Sequence, residues 1–319
     1  MVGVVKETVA GTFIEPGATD TFHAVNIQFT PTQQNFDRKD TASTFGIRDS
    51  IPGSGEGDIS FELPLCGAAA AGTAPFWGTL MRACGHSETT VAVTSVTYAP
   101  TSIFTGLTVY PSEGYSVSVW TDDKNAANGL QLSLTGCQGN VQISTKQGEP
   151  LIGKFKFHGA YQVVANDVQP VVTDATLSPP IFLGATMTVH AVNTLAFDGF
   201  EFDKGNVINK RGDVSAASGV RSAWITGHKP MIKISPEMVL TTTLDYYGRW
   251  RAGTTGNFIA SLAGAGVPAG SKMVFTAGRT QFKDLTMADR EGAATADLGL
   301  QITTAANAAD GADYSLVLT

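Results

Sequence analysis

The sequence predicts a mainly β chain built as two tandem copies of one unit, each copy carrying a short α-helix and a long loop. Three observations predict it. Apolar and polar residues alternate in many short runs, while few segments have helical periodicity. Gly is abundant at 35 residues, and Ala, Thr and Ser are plentiful, as a chain of many turns requires. Finally, residues between 27 and 77 meet similar residues at an offset of 173. Phe29 meets Phe202, Arg38 meets Arg211, Asp40 meets Asp213, Ile59 meets Ile232 and Trp77 meets Trp250, without a gap. Gly46, Ile47 and Arg48 likewise meet Gly219, Val220 and Arg221.

A length of 319 residues suits two domains. The reading places the first at 1–170 and the second at 181–319, with a linker at 171–180 between Pro170 and Pro180. After a polar lead-in, Val25, Ile27 and Phe29 mark a strand within Phe22–Phe29. Thr30–Glu56 reads as a long polar loop, and Asp203–Lys229 as its counterpart. Loops longer than about 15 residues in a compact domain are usually functional or disordered. Two equivalent ones read as an assembly device, with a tolerated surface excursion as the alternative.

Ile59, Phe61, Leu63 and Leu65 then alternate as a half-buried strand. Thr73 is positioned to cap a helix with Pro75 in its first turn. Phe76, Trp77, Leu80, Met81 and Cys84 recur at helical spacing and form a face to pack on a sheet, and Gly85 ends the segment. In the second copy Asp245 is the N-cap, with Tyr246, Tyr247 and Trp250 as the packing face. Further strand-like runs follow in both copies, among them Thr90–Tyr98, Ile103–Tyr110, Leu130–Leu134, Asn140–Thr145, Lys272–Thr276 and Gln281–Met287. Gly148 meets Gly292 at an offset of 144, so the first copy carries about 29 extra residues. The natural insert is 86–114, which adds two strands as a decorated edge.

The net charge of −7, without a Lys/Arg cluster, argues against a protein that grips nucleic acid. No run approaches the roughly 18 apolar residues that cross a membrane, and the N-terminus lacks a signal-peptide core. Cys66, Cys84 and Cys137 read as buried thiols, with a Cys66–Cys84 disulfide as the alternative. The histidines at 23, 86, 158, 190 and 228 show no metal-ligand spacing and read as surface or strand residues. The glycine run 53–57 is not followed by GK[ST], and 264–272 reads as a hairpin turn rather than a phosphate loop. Arg211-Gly212-Asp213 matches an adhesion tripeptide, but Arg38 and Asp40 occupy the matching places without the Gly, which makes the pair structural. No carboxylate pair stands out for acid–base work. The reading is therefore of a protein that is not an enzyme and takes no cofactor or metal.

GDISFELPLCGAAAAGTAPFWGTLMRACGHSE resembles the strand–helix segment of tail tube (major tail) proteins of long-tailed bacteriophages. LSLTGCQGNVQISTKQGEPLIGKFKFHGAY is similar to the paired strands that follow in that family, and KETVAGTF…PGATD to its opening. Together these cover most of residues 1–161, whereas DYYGRWRAG in the second copy departs from the small-residue pattern. The resemblance implies β-sandwich or barrel-like domains, each flanked by a helix, that join into a tube wall while a long loop reaches the next ring. It implies a trimeric ring with pseudo-sixfold symmetry, stacked into a virion tail assembled in the bacterial cytoplasm. The implied partners are other copies of the chain, a tape measure protein and tail completion or terminator proteins, and DNA passes through the lumen without specific binding. Arg48 and Arg221 are the expected inter-ring contacts, and the lumen is expected to be net negative. The competing readings are a two-domain β-sandwich binding or adhesion module, receptor- or glycan-binding, and a glycan-active enzyme needing two facing carboxylates.

Overall fold

Alternation that commits one face of a strand to burial extends through most of the chain. This computed structural model describes residues 1–38, 48–102, 113–121, 129–172, 178–261 and 267–319. In the first half lie β1 (Val2–Lys6), β2 (Thr21–Phe22), β3 (Val25–Phe36), β4 (Ile51–Pro64), α1 (Gly78–Ala83), β5 (His86–Val91), β6 (Ser95–Pro100), β7 (Tyr115–Thr121), β8 (Gly129–Lys146), β9 (Ile152–Tyr161) and β10 (Ala165–Asp167). In the second half lie β11 (Thr186–Val189), β12 (Gly199–Asp203), β13 (Asn206–Gly212), β14 (Val220–His228), β15 (Met231–Ile234), α2 (Tyr246–Ala252), β16 (Thr255–Ser261), β17 (Met273–Arg290), β18 (Ala293–Ile302) and β19 (Tyr314–Leu318). The chain is mainly β, and its strand pairs are antiparallel.

In the first half the strands pair in the order β1–β7–β8–β9–β4–β3. In the second half they pair in the order β11–β16–β17–β18–β15–β12. The registers correspond too. Phe29 opposite Ile59 on β3–β4 matches Phe202 opposite Ile232 on β12–β15, at the offset of 173. Ile143 opposite Gly153 on β8–β9 matches Met287 opposite Ala296 on β17–β18, at 144 on the first strand. Gly148 and Gly292 sit in the connecting turns with φ of 77° and 89°, a backbone region that favours glycine.

The halves are sewn together by backbone pairing. The second half of β8 takes β12 as a neighbour, from Gln142 opposite Asp203 to Lys146 opposite Gly199. One apolar row therefore crosses both halves: Leu63, Gly153, Ile143, Phe202, Ile232, Leu300 and Phe282, each paired with the next. Its large side chains are buried in a single core.

Several expectations are corrected. Thr30–Glu56 and Asp203–Lys229 are β-hairpin arms rather than loops: β3 with β4, and β13 with β14. The polar sequence hid them because ladder bonds hold these arms with little burial of their side chains. α1 starts at Gly78, not near Thr73, because residues 75–78 form a turn closed by Gly78 N–H donating to Pro75 O. Thr90–Tyr98 is two strands, β5 and β6, with the turn at Val93, and each of β8 and β17 unites two runs read as separate. The β5–β6 insert is no free decoration: β6 pairs with β19, Tyr98 opposite Leu316. Ile103–Tyr110 falls outside the described residues, as do parts of the hairpin tip, the linker and 264–272. The three cysteines are free and buried, so no Cys66–Cys84 disulfide forms.

Phe202 is 1% exposed and packs on Phe275 and Tyr314 with ring centroids 4.8 and 4.9 Å apart. Phe202→Ala should cost about 3–5 kcal/mol of stability. A lowered urea midpoint at unchanged slope is the expected readout, and an unchanged midpoint would show that β12 is not part of the core.

Candidate functional site

The face opposite the apolar row is polar in both halves. Glu62, Lys154, Gln142, Asp203, Met231 and Gln301 form one row of paired residues across the seam. A neighbouring row runs Ser144, Glu201, Lys233, Gly299 and Asp284. An open cleft of about 640 Å³ lies over this face, with Glu62, Glu201, Lys233, Asp284 and Asp297 among its lining residues. On β4, β8, β9, β12, β15, β17 and β18 the face carries Glu56, Asp58, Glu62, Glu201, Asp203, Asp284 and Asp297 against Lys146, Lys154, Lys156, Lys233 and Arg290, a net of −2.

The lysines are matched. Lys154 lies 3.3 Å from Glu62, Lys156 3.0 Å from Asp58 and Lys233 3.3 Å from Glu201. The hydrogen bond from His158, aided by Lys156, holds the Asp58 carboxyl below its ordinary range. Asp203 accepts from Asn140 Nδ2 and Gln142 Nε2 at 2.8 Å each, and Asp297 accepts from Ser235 Oγ at 2.7 Å. This is an open, weakly acidic surface whose charged groups are tied together by ion pairs and hydrogen bonds. Among the described residues no group of three or more His, Cys, Asp or Glu is placed to hold a metal ion.

Two buried ionisable groups, Lys204 and His86, lie where the halves meet. Lys204 Nζ donates to Cys84 O at 2.6 Å and to Gly85 O, at the C-terminal end of α1 where a cation is favoured. Burial lowers its pKa to about 7. Asn206 Nδ2 donates to Cys84 O and Gly139 O, both at 2.8 Å. His86 hydrogen-bonds Met81 O at 3.0 Å and Tyr314 Oη at 2.8 Å, tying the insert to β19. Burial, reinforced by Lys204, pushes its pKa well down. His190 is lowered to about 4 by burial and by Arg249, and stacks on Phe282 at 4.4 Å. His86 is thus a strand residue of β5, as expected, though buried, whereas His190 is buried in the turn after β11, contrary to the surface or strand expectation. Glu7 is buried too, accepting from Ser116 Oγ, Thr135 Oγ and the Gly136 and Gly11 N–H groups.

Of the expected packing residues, Trp77, Leu80, Met81 and Tyr246 are buried. Phe76, Tyr247 and Trp250 are not, at 40, 50 and 48% exposed. α1 begins after Phe76, which makes a ring contact to Phe22 at 6.2 Å. In α2, capped by Asp245 accepting from Gly248 N at 2.8 Å, Tyr246 faces the core. Trp250 lies along the outside, its indole N–H donating to Lys283 O at 3.0 Å. Arg221 begins the β14 arm, 3.7 Å from Asp213, and Arg48 is exposed three residues before β4. The two hairpins touch where Gly55 N–H donates to Ser218 O at 2.9 Å.

No protein-family model matches this chain, and a search of curated proteins finds no match either. Among the described residues no helix is long and apolar enough to cross a membrane.

The buried bases set the pH response. Where a base has its pKa lowered by folding, the unfolded chain binds more protons, so stability rises with pH between the two pKa values. His86 and His190 therefore remove stability as pH falls below 6.5, for His190 down to about 4. Lys204 adds stability as pH rises above about 7. Denaturant midpoints for Lys204→Met should rise less steeply than those of the parent chain between pH 7 and 8.5, the half-buried N-terminal amine, also lowered by burial, adding the same rise to both. This range lies below the ordinary thiol value of 9.0, above which the buried cysteines oppose the trend. Parallel curves for the two chains would refute the assignment.

Proposed function

We propose that this chain is a tail tube (major tail) protein of long-tailed bacteriophages, a structural virion protein without catalytic activity. It comprises two tube domains, 1–170 and 181–319, joined at 171–180. The observation that carries the reading is the recurrence of one six-strand order, with matching registers, in two halves joined edge to edge at β8–β12. A unit whose edge is completed by the next unit is a wall element. Three chains then give six units in a ring of pseudo-sixfold symmetry, and rings stack into the conduit that carries DNA from capsid to host.

The polar face suits the lumen. Its net negative charge repels a duplex within a Debye length of roughly 8 Å, whereas a basic wall would hold phosphates and stall passage. The hairpins β3–β4 and β13–β14 are the ring-to-ring reach, with Arg48 and Arg221 at corresponding places near their tips. The tape measure protein and the completion or terminator proteins are the partners this reading implies. Its setting is the virion tail, assembled in the bacterial cytoplasm.

Electron microscopy of the purified chain tests the proposal. Rings and tubes are expected, and Arg48→Glu with Arg221→Glu should leave rings that no longer stack. Monodisperse monomers at all concentrations would overturn it, and tubes of normal length from the double variant would overturn the role of the arginines.

A further inference from the structure

The seam inside the chain has a counterpart that is open at both of its edges. β8 carries β12 along 142–146, and the matching stretch of β17 at the offset of 144 is Thr286–Arg290. Among the described residues this stretch pairs only with β18. β12 corresponds at 173 to Asn26–Thr30 of β3, which pairs only with β4. Exposure tells the same story. Ile143 and Phe202, which meet in the seam, are each 1% exposed. Their counterparts are Met287, 66% exposed, and Phe29, half-buried. Unpaired N–H and C=O groups beside uncovered apolar side chains form a template for strand addition.

The hairpins repeat the asymmetry. The β13–β14 hairpin lies on the first half, with Ile225 N–H donating to Gln138 Oε1 at 2.6 Å and the Arg221 carbonyl against Gly136. The β3–β4 hairpin leaves Phe36 and Ile51 more than half exposed.

We infer that the free edge of β3 in one copy of this chain adds to the free edge of β17 in a second copy, in the register that β12 takes on β8. This rests on the proposal that the two halves are copies of one unit. The register is then fixed beyond the irregularity at Asn26: Gln28 opposite Ala288, Phe29 opposite Met287 and Thr30 opposite Thr286. Phe29 and Met287 cover each other as Phe202 and Ile143 do. One chain cannot satisfy both of its own edges in this way, so the contact is head-to-tail and continues from copy to copy until it closes.

A cross-link reads the register. In the seam, Lys204 N–H donates to Val141 O at 3.1 Å, so by alternation Glu201 and Ser144 form a narrow pair without mutual backbone hydrogen bonds. Their counterparts are Gln28 and Ala288, whose Cα atoms would lie about 4.5 Å apart, within disulfide range. The full chain carrying Gln28→Cys and Ala288→Cys, assembled and oxidised, should give covalent multimers on non-reducing gels. Gln28→Cys with Met287→Cys, whose thiols point to opposite faces, should give none; the native cysteines are buried. Rings seen by microscopy whose chains do not cross-link through 28 and 288, or that cross-link equally in the control, would overturn this inference and leave the tube proposal standing. Cross-linked chains that form open fibres instead of rings would sustain the pairing and overturn the tube. A folded chain that stays monomeric would overturn both.

Discussion

Every backbone N–H and C=O taken out of water needs a partner, and in this chain that demand is met across the boundary between its halves. The C-terminal part of β8 outruns β7 on one side, and β12 fills the gap. The same five residue pairs align the apolar rows above and the polar rows below, because directly opposite residues share a face. Lys204 and Asn206 then follow from position. They leave β12 beside the end of α1 and fill the carbonyls that a helix of six residues leaves unpaired. A charge buried so thoroughly is tolerated only because two carbonyls receive it, and burial shows in its depressed pKa.

Much of the fold was legible in the sequence where burial and periodicity coincide. Ile59, Phe61 and Leu63 alternate because one face of β4 enters the core. Asp245 caps α2, and Gly148 and Gly292 take their positive φ in matching turns. The offsets of 173 and 144 recur in the strand registers. The hairpin arms were not legible, because Thr32 and Gln33 carry no alternation and are held by the ladder rather than by burial. Helical spacing overstated the aromatic faces, since a helix of seven residues touches its sheet through one turn, and Tyr246 takes that place.

The candidate surface was less legible still. A polar face is built from a few residues of each of seven strands, and their convergence depends on registers that no local pattern encodes. Lys204 is of a residue type that ordinarily stays wet, and His86 of one only intermediate in burial. Their burial follows from partners some 120 and 228 residues away, Cys84 and Tyr314. The insert illustrates the same limit: its strand character was foreseeable, but the turn that splits Thr90–Tyr98 and the attachment to the last strand of the chain were not.

The long sequence separation of β8 and β12 has a consequence during biosynthesis. About 57 residues separate the end of β8 from the end of β12. At roughly 5–20 residues per second, the ribosome needs on the order of 3–11 s to deliver that span. Throughout that interval a nascent first half presents the very edge that β12 will occupy. Neighbouring nascent chains on one messenger carry the same strand, so exchange of β12 between chains competes with closure within each. The short path from β9 through β10 to β12 favours the chain's own strand by proximity, which makes the spacing between halves a safeguard against swapped, misjoined products.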